Sequence, residues 1–248
     1  MTVNIKCLII LSLTFVLFTV IGTISHEYGH IAVAKYYGYE TTLHYGSMNY
    51  YPKGYLDDPD LKALKSLNKD YVNTEYDSIP PEISEKTQTF NNQLQKRYWN
   101  EENNDSLLIS IGGPLQTMLT GLIGLIFLIL RRKSIKIEGM KRIDWLAVFL
   151  GLFWLRAIFN LITSFGSEII SPNGKWFGGD EYFISIGLNL WPGTFSIILA
   201  ALGLFGSVYI VFNIVPKSIR LTFILSGLIG GISGFTLWMI LIGPKVLP

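Results

Sequence analysis

The chain has 248 residues, of which 50% are hydrophobic and 15% charged, and its formal net charge is +2. This composition is typical of a polytopic membrane protein and excludes an ordinary soluble globule. No tract of Lys and Arg is interleaved with aromatic residues, so we expect no nucleic-acid partner, and the single cysteine, Cys7, excludes an internal disulfide and a thiolate metal cluster.

The apolar runs of the chain predict five transmembrane helices, each of which takes about 20 residues. In chain order these spans are Cys7–Ser25, Leu107–Leu130, Trp145–Phe165, Thr194–Val215 and Ile219–Ile242. The helical pattern of the first run continues to about Tyr37, so we interpret it as an uncleaved span and not as a signal peptide. Trp191-Pro192-Gly193 interrupts the apolar run before the fourth span, which predicts a short broken or re-entrant segment at Tyr182–Leu190. The predicted fold class is an all-α polytopic membrane protein in a lipid bilayer.

These spans divide the chain into three parts. Residues 1–37 form the first transmembrane helix, residues 38–105 an extracytoplasmic loop or cap, and residues 106–248 the remaining transmembrane core. Within the loop, Leu61–Tyr71 and Glu82–Tyr98 are predicted to form two helices. The loop has too few apolar residues for a core of its own, so we expect it to pack on the membrane part or to cap it.

The distribution of basic residues predicts the orientation of the chain. Residues 131–143 include six basic residues and one acidic residue, whereas the loop at 37–105 carries twelve acidic and seven basic residues. We therefore expect the basic segment and the N-terminus to be cytoplasmic and the loop to lie outside. Lys217 and Arg220 also fall on the cytoplasmic side in this arrangement.

The sequence HEYGH, residues 26–30, lies at the end of the first predicted helix. Residues four apart share one face of a helix, so His26 and His30 are placed to bind one Zn²⁺. The intervening Glu27 projects close to that position and is a candidate general base for a water molecule whose pKa the zinc lowers. The alternative is that two interfacial histidines match a short pattern by chance. An ionisable group beside a transmembrane span is costly, which favours the functional interpretation.

HEYGH followed by Ala34 and Gly38 resembles the first catalytic helix of the site-2 protease family of intramembrane zinc metalloproteases. The family pattern is His-Glu-x-Gly-His with Ala and Gly at these later offsets, and Gly29 makes the match more specific than the bare zinc motif. The resemblance implies that the two histidines are zinc ligands and that the glutamate is the general base. Small residues at Gly29 and Ala34 would also let another helix approach closely.

A second element of that family, Gly-Pro-x-x-Asn on the next core helix, is matched in part by residues 113–117. The Gly-Pro is present, but Thr117 stands where the family has Asn. Two interpretations stay open. Either Gln116 or Thr117 binds the backbone of a substrate, or Gly112-Gly113-Pro114 only kinks a membrane helix, in which Gly and Pro are common.

A catalytic zinc site has three protein ligands and an open position. Cys7 is too distant, and Tyr36 occupies the position at which a metzincin has a third histidine. The site-2 family uses an Asp near a later helix, and this resemblance implies Asp180, although it follows Gly178-Gly179 here and the family's Asn-Pro-Asp-Gly sequence is absent. Paired glycines permit close approach to a metal, and a helix start favours a carboxylate.

Alternatives stay open for the residues around this ligand. Asp180 is also a candidate N-cap of the helix that follows it. The neighbouring Glu181 would be rotated by about 100° on that helix, so we do not expect it to bind the metal. His44, the remaining histidine, is interpreted as an ordinary loop residue because no zinc spacing fits it. HEYGH, residues 112–117 and residues 178–181 all fall on the outer side of the predicted topology.

Arg156 and Asn160 lie one turn apart inside the third predicted span. An Arg at mid-bilayer usually faces the protein interior and has a partner. A functional role would be to hold a substrate carbonyl or to orient a catalytic carboxylate. We favour a structural role, in which Arg156 pairs with Glu168 or with backbone carbonyls and Asn160 extends the same packing face. Both stay candidate substrate-binding residues, together with Gln116 and Thr117.

The sequence therefore predicts an integral, multi-pass intramembrane zinc metalloprotease. Its partner would be a membrane protein or membrane-associated peptide, which it hydrolyses near the extracytoplasmic face. Site-2 proteases usually place their zinc toward the cytoplasm, so either this chain is a divergent branch or the predicted orientation is wrong. The alternatives are a zinc-dependent hydrolase of a non-protein substrate and a non-catalytic metal-binding scaffold. A transporter would need paired broken helices, and the sequence has one broken segment.

Overall fold

The computed structural model describes residues 3–71, 79–99 and 105–248 of the chain. Within these residues, five helical segments are long and apolar enough to cross a membrane: Ile5–Tyr36, Asp105–Glu138, Arg142–Ile170, Thr194–Ile214 and Arg220–Val246. Each contains nearly all of one predicted span. The prediction of a largely helical chain with about five helices long and apolar enough to cross a membrane is therefore confirmed.

The helices have defined bounds within these described ranges. In chain order they are α1 (Ile5–Tyr36), α2 (Pro59–Asn68), α3 (Pro81–Tyr98), α4 (Asp105–Glu138), α5 (Arg142–Gly151), α6 (Leu155–Ile170), α7 (Gly179–Gly187), α8 (Thr194–Tyr209), α9 (Arg220–Thr236) and α10 (Gly243–Val246). A 3-10 turn at Leu152–Trp154 joins α5 to α6, and π-helical turns at Ile210–Ile214 and Leu237–Ile242 extend α8 and α9. The third span is thus two helices in series.

Helix α1 packs against both α4 and α9. In the core, Phe15 of α1 contacts Phe149 and Phe223, with ring centroids 4.9 and 5.2 Å away. At the motif end of α1 the helices approach more closely, because a Cβ built on Gly29 would lie only 2.7 Å from the Cβ of Gln116. The expectation that a small residue here admits another helix is confirmed, and the neighbour is the first part of α4.

The interrupted segment before α8 begins earlier than predicted. Helix α7 spans Gly179–Gly187, and the chain leaves it through Asn189, which has a positive φ of 55°, before a turn at 192–193. The break agrees with the one predicted at Trp191-Pro192-Gly193. The earlier start of α7 places Asp180 inside its first turn.

The loop between α1 and α4 contains a hairpin followed by two helices. Strands β1 (Glu40–Leu43) and β2 (Met48–Tyr51) pair antiparallel and pack against α1, and α2 and α3 pack together through the buried residues Leu61, Leu64 and Leu94. The two predicted loop helices are confirmed. The expectation that the loop has no core of its own was wrong, because these three leucines and the aromatic residues around them form a small apolar cluster.

A buried carboxylate, Asp58, joins the two loop helices. It caps α2 by accepting a hydrogen bond from the backbone N–H of Asp60 at 2.8 Å, and it accepts further bonds from the side chains of Arg97 and Tyr98 on α3. Burial alone would raise the pKa of Asp58. The hydrogen bonds from Arg97 and Tyr98 outweigh burial and lower the pKa from 3.8 to about 2.

The packing of α2 on α3 is therefore expected to weaken in acid. Because the pKa of Asp58 is lowered in the folded loop, the ionised carboxylate stabilises the loop above its ordinary pKa of 3.8, and this stabilisation is lost as the pH falls toward 2. Hydrogen exchange of residues 81–98, corrected for the intrinsic rate, should show less protection at pH 2 than at pH 5. Asp58→Asn is the control and should remove most of this difference. Equal protection of the wild-type loop at both pH values would contradict the role of ionised Asp58 in stabilising the packing of α2 on α3.

Candidate metal centre

The two histidines of HEYGH are buried where α1 meets α4. They lie one helical turn apart, and their exposed fractions are 1% for His26 and 6% for His30. Their Nε2 atoms are 3.2 Å apart. The two histidines therefore share one face of α1, as predicted, and this face points into the protein interior.

Asp180 reaches these histidines from a distant part of the chain. Its Oδ2 atom lies 2.9 Å from Nε2 of His26 and 3.3 Å from Nε2 of His30. The N-cap of α7 is Gly178, and Gly179 has a φ of +72°, a conformation that glycine adopts readily. Asp180 is thus not the N-cap, and its carboxylate is directed to the histidines. Gly178 and Gly179 directly precede the carboxylate that approaches the two histidines.

The outer ring nitrogens of both histidines already have partners. Nδ1 of His30 lies 2.6 Å from the carbonyl oxygen of Ile109, to which it donates because a carbonyl can only accept; the backbone N–H of Gly113 lies 3.2 Å from the same nitrogen and is the longer contact. Nδ1 of His26 lies 2.9 Å from the hydroxyl of Thr117. Hydrogen bonds of this kind fix the tautomer of a metal-binding histidine and leave its other nitrogen free. Three atoms with lone pairs, two imidazole nitrogens and a carboxylate oxygen, therefore converge on one point.

The geometry of these three atoms fits a zinc ion. In tetrahedral coordination with bonds of about 2.0–2.1 Å, neighbouring ligand atoms are about 3.3–3.4 Å apart. The distances between the Nε2 atoms of His26 and His30 and Oδ2 of Asp180 are 2.9, 3.2 and 3.3 Å. Two imidazoles and one carboxylate are also an established donor set for catalytic zinc. A cation of this size needs only a few tenths of an ångström of adjustment.

Gly113 on α4 leaves the space that such an ion requires. A Cβ built on this glycine would lie 2.6 Å from Nε2 of His26 and would clash with the ring of His30. The sequence allowed either a catalytic element or a simple kink at 112–114. The structure places Gly113 against the donor atoms and Thr117 against His26, so this part of α4 belongs to the site.

Gly113→Ala is expected to weaken metal binding while the helices still form. The added methyl group would occupy the volume between the donor nitrogens, and we expect an affinity for zinc at least about tenfold weaker, as for changes in the shell around a metal. The measurement is zinc affinity by competition with a chelator. Gly166→Ala on α6 is the control, because its Cβ would meet no atom within 4 Å. Zinc affinity unchanged in Gly113→Ala would show that the ion does not occupy this position.

Glu27 faces a cation and not the metal donors. It is 5% exposed, and its Oε1 lies 3.7 Å from a terminal nitrogen of Arg156 on α6. The expected pairing of Arg156 with Glu168 was wrong. Glu168 instead accepts backbone N–H bonds from the turn after α6, the shortest of them 2.8 Å from Gly174. The alternative role for Arg156, orienting a catalytic carboxylate, is the one that matches the geometry.

The other candidate substrate-binding residues are placed differently. Asn160 donates to Oε1 of Glu181 at 3.3 Å and lies beside Arg156 on one wall of the site. Glu181 is directed to Asn160 and not to the histidines, as expected from its rotation on α7. Gln116 donates to Thr120 on its own helix at 2.9 Å and contacts Gly29 of α1. Gln116 is therefore part of the contact between helices.

His44 lies away from the three donors. It follows β1, contacts Asn49 at 3.0 Å, and also hydrogen-bonds to the carbonyl of Pro248. The interpretation of His44 as a loop residue agrees with this position. Among the described residues, the potential metal-binding group of three or more His, Cys, Asp or Glu side chains consists of His26, His30 and Asp180.

A cavity of about 480 Å³ opens beside the three donors. Glu27, His30, Asp180 and Arg156 line it, and so does the hairpin turn at 46–48. The sequence suggested residues 43–48 as an edge to which an extended substrate strand could add, and the structure places the turn of this segment in the cavity wall. The strands β1 (ETTL) and β2 (MNYY) show no clear apolar-polar alternation, so the sequence did not indicate which side of α1 the hairpin would cover. The cavity therefore lies along one side of the donor triangle, at His30 and Asp180.

No family model matches this chain, and no curated protein or solved structure matches it either.

Proposed function

We propose that this chain is an intramembrane zinc metalloprotease that hydrolyses a membrane-associated peptide. The observation that carries the proposal is the convergence of His26, His30 and Asp180 on one point. Glu27 lies beside them, and its carboxylate is directed to Arg156. A bound zinc ion would polarise a carbonyl group and acidify a water molecule. The residues of the chain supply the binding, the proton transfer and the orientation.

Glu27 is proposed as the proton acceptor. It follows His26 directly on α1, lines the same cavity as His30, and does not contact the donor atoms of the centre, so it is available to water in the cavity. Arg156, 3.7 Å away, would orient the carboxylate and offer its remaining N–H groups to a substrate carbonyl. A scaffold that only held a metal would need neither group, which favours an enzyme over a scaffold.

The depth of the centre favours a membrane-embedded reaction. His26 lies ten residues before the end of α1, and a rise of 1.5 Å per residue places it about 15 Å from that end. Thr117 lies twelve residues inside α4, which corresponds to about 18 Å. Both positions are well inside helices long enough to cross a bilayer of about 30 Å.

The resemblance to site-2 proteases is proposed to reflect a divergent member of that family. Thr117, which replaces the family's Asn, contacts His26 and would orient a zinc ligand. Asp180 reaches the centre from a Gly-Gly-Asp sequence in place of the family's Asn-Pro-Asp-Gly. Both differences from the family pattern thus keep a polar side chain at the centre. In the first the residue type changes, and in the second the sequence around the Asp changes.

Purified protein in lipid vesicles tests this proposal. The substrate is a mixed library of membrane-spanning peptides, and mass spectrometry identifies pairs of products that share one cut. We expect paired products with the zinc-loaded protein, none after chelation, and their return when zinc is added. Hydrolysis of lipid esters in the same vesicles, with peptides left intact, would favour the non-protein substrate. If the zinc-loaded protein hydrolyses neither peptides nor lipid esters, the scaffold is favoured.

We also propose that the N-terminus is cytoplasmic and that the metal centre lies toward the extracytoplasmic side. The support is the basic segment at 131–143 against the acidic loop at 37–105. Ser84→Cys and Ser134→Cys, each in a Cys7→Ser background, should react with an impermeant thiol reagent from opposite sides. Labelling of Ser134→Cys from outside intact cells would reverse the orientation, and with it the placement of the centre.

A further inference from the structure

A second cavity, which we call the apolar pocket, lies between α1, α6 and α9. Its volume is about 480 Å³. Phe18, Phe149 and Phe153 pack together on one wall, with ring centroids of Phe18 4.9 and 6.2 Å from the other two. Apart from a polar rim toward the metal centre, the lining is aliphatic and aromatic. Such a pocket accepts an apolar group and excludes a charged one, because burying an unpaired charge is costly.

The apolar pocket adjoins the cavity at the metal centre. Gly46, Arg156 and Asn160 line both cavities. Thr117, which contacts His26, also lines the apolar pocket. A peptide group held beside Glu27 and Arg156 would therefore have the pocket within reach of an adjacent side chain.

Two glycines keep the pocket open without being needed for helix packing. A Cβ on Gly22 would come no closer than 3.8 Å to the ring of Phe153, and a Cβ on Gly231 would meet no atom within 4 Å. By contrast, a Cβ on Gly230, the neighbour on α9, would clash with the backbone of α1. Each of these two glycines therefore borders free space in the wall of the pocket, where a larger side chain would fill part of the pocket.

We propose that the apolar pocket receives one large apolar side chain of the peptide, next to the bond that is cut. This inference rests on the proposed function and names its substrate class: peptides with Leu, Met or Phe beside the cut. The occupant follows from the proposed function: a peptide bond held beside Glu27 and Arg156 has a side chain on the carbon next to its carbonyl, and the adjoining pocket is within reach of that side chain.

The test uses the membrane-spanning peptide library and the zinc-loaded full chain in vesicles. Wild type is expected to cut beside Leu, Met or Phe at least about tenfold more often than beside Ala or Ser, the range in which pockets discriminate by size. Gly22→Val and Gly231→Val fill the pocket and should lower this ratio by about tenfold while zinc content stays the same. Gly166→Val on α6 is the matched control, since it lines neither cavity and should keep the wild-type ratio.

The outcomes separate this inference from the proposed function. If wild type cleaves peptides but neither Gly22→Val nor Gly231→Val changes the ratio of cuts beside large and small side chains, the inference is overturned and the proposed protease function still stands. A phospholipid retained by wild type and lost from Gly22→Val, with the cleavage ratio unchanged, would also overturn it and assign the pocket to a lipid chain. Absence of all cleavage by zinc-loaded wild type would overturn the proposed function and the inference together.

Discussion

Glu27→Gln is expected to lower peptide hydrolysis by about 10²–10⁴-fold, the usual contribution of a general base, while zinc binding is unchanged. The amide keeps the size of the carboxylate but cannot accept the proton. Glu27 lies beside Arg156 and outside the donor triangle, so its replacement leaves all three donor atoms in place. The measurement is the rate of product formation together with zinc content on the same sample.

A matched control for this variant is Glu181→Gln. Glu181 is also a buried glutamate near the centre, but it accepts a hydrogen bond from Asn160, which Gln can accept equally. Its rate should stay within about tenfold of wild type, well short of a general-base loss. If Glu27→Gln hydrolyses peptides at the wild-type rate, Glu27 is not the base. If it loses zinc, the residue acts through the metal site.

Asp180→Ala is expected to lose zinc and hydrolysis together. Removing one of three protein ligands leaves two imidazoles, which hold the ion much more weakly, and no other carboxylate reaches the donor triangle among the described residues. Zinc retention under a mild chelator compares Asp180→Ala with Glu181→Ala, Glu168→Ala and His44→Ala. The last three should keep zinc, because their side chains are directed to Asn160, to a backbone turn, and to the Asn49 and Pro248 region.

This set of variants identifies the ligand even if the assignment is wrong. If another of the four variants loses zinc while Asp180→Ala retains it, that residue is the third ligand. If all four retain zinc, the centre differs from the site-2 pattern, and the resemblance extends no further than α1.

The sequence predicted those parts of the site that depend on local spacing. His26 and His30 share a face because they are four residues apart, and this holds for any helix. Gly29 predicted that another helix would approach at this point, and the structure shows that this helix is α4. Asp180 lies about 150 residues further along the chain, and its placement was predicted from the resemblance and from topology, not from spacing.

The parts that could not be predicted depend on how helices rotate about one another. The pattern of α6 showed that Arg156 faces inward, but not whether it would meet Glu27 or Glu168. Gly113 was interpretable as a kink or as a site element because the distinction depends on which helix approaches it. The composition of the loop did not predict its apolar cluster. Leu61, Leu64 and Leu94 are few, but they come together where α2 packs on α3.

The zinc content of the purified protein tests the central claim most directly. Wild type, His44→Ala and the double variant His26→Ala/His30→Ala would be loaded with zinc, desalted and measured by elemental analysis. The account predicts about one zinc per chain in wild type and His44→Ala and almost none in the double variant. Zinc absent from wild type, or present equally in the double variant, would contradict it.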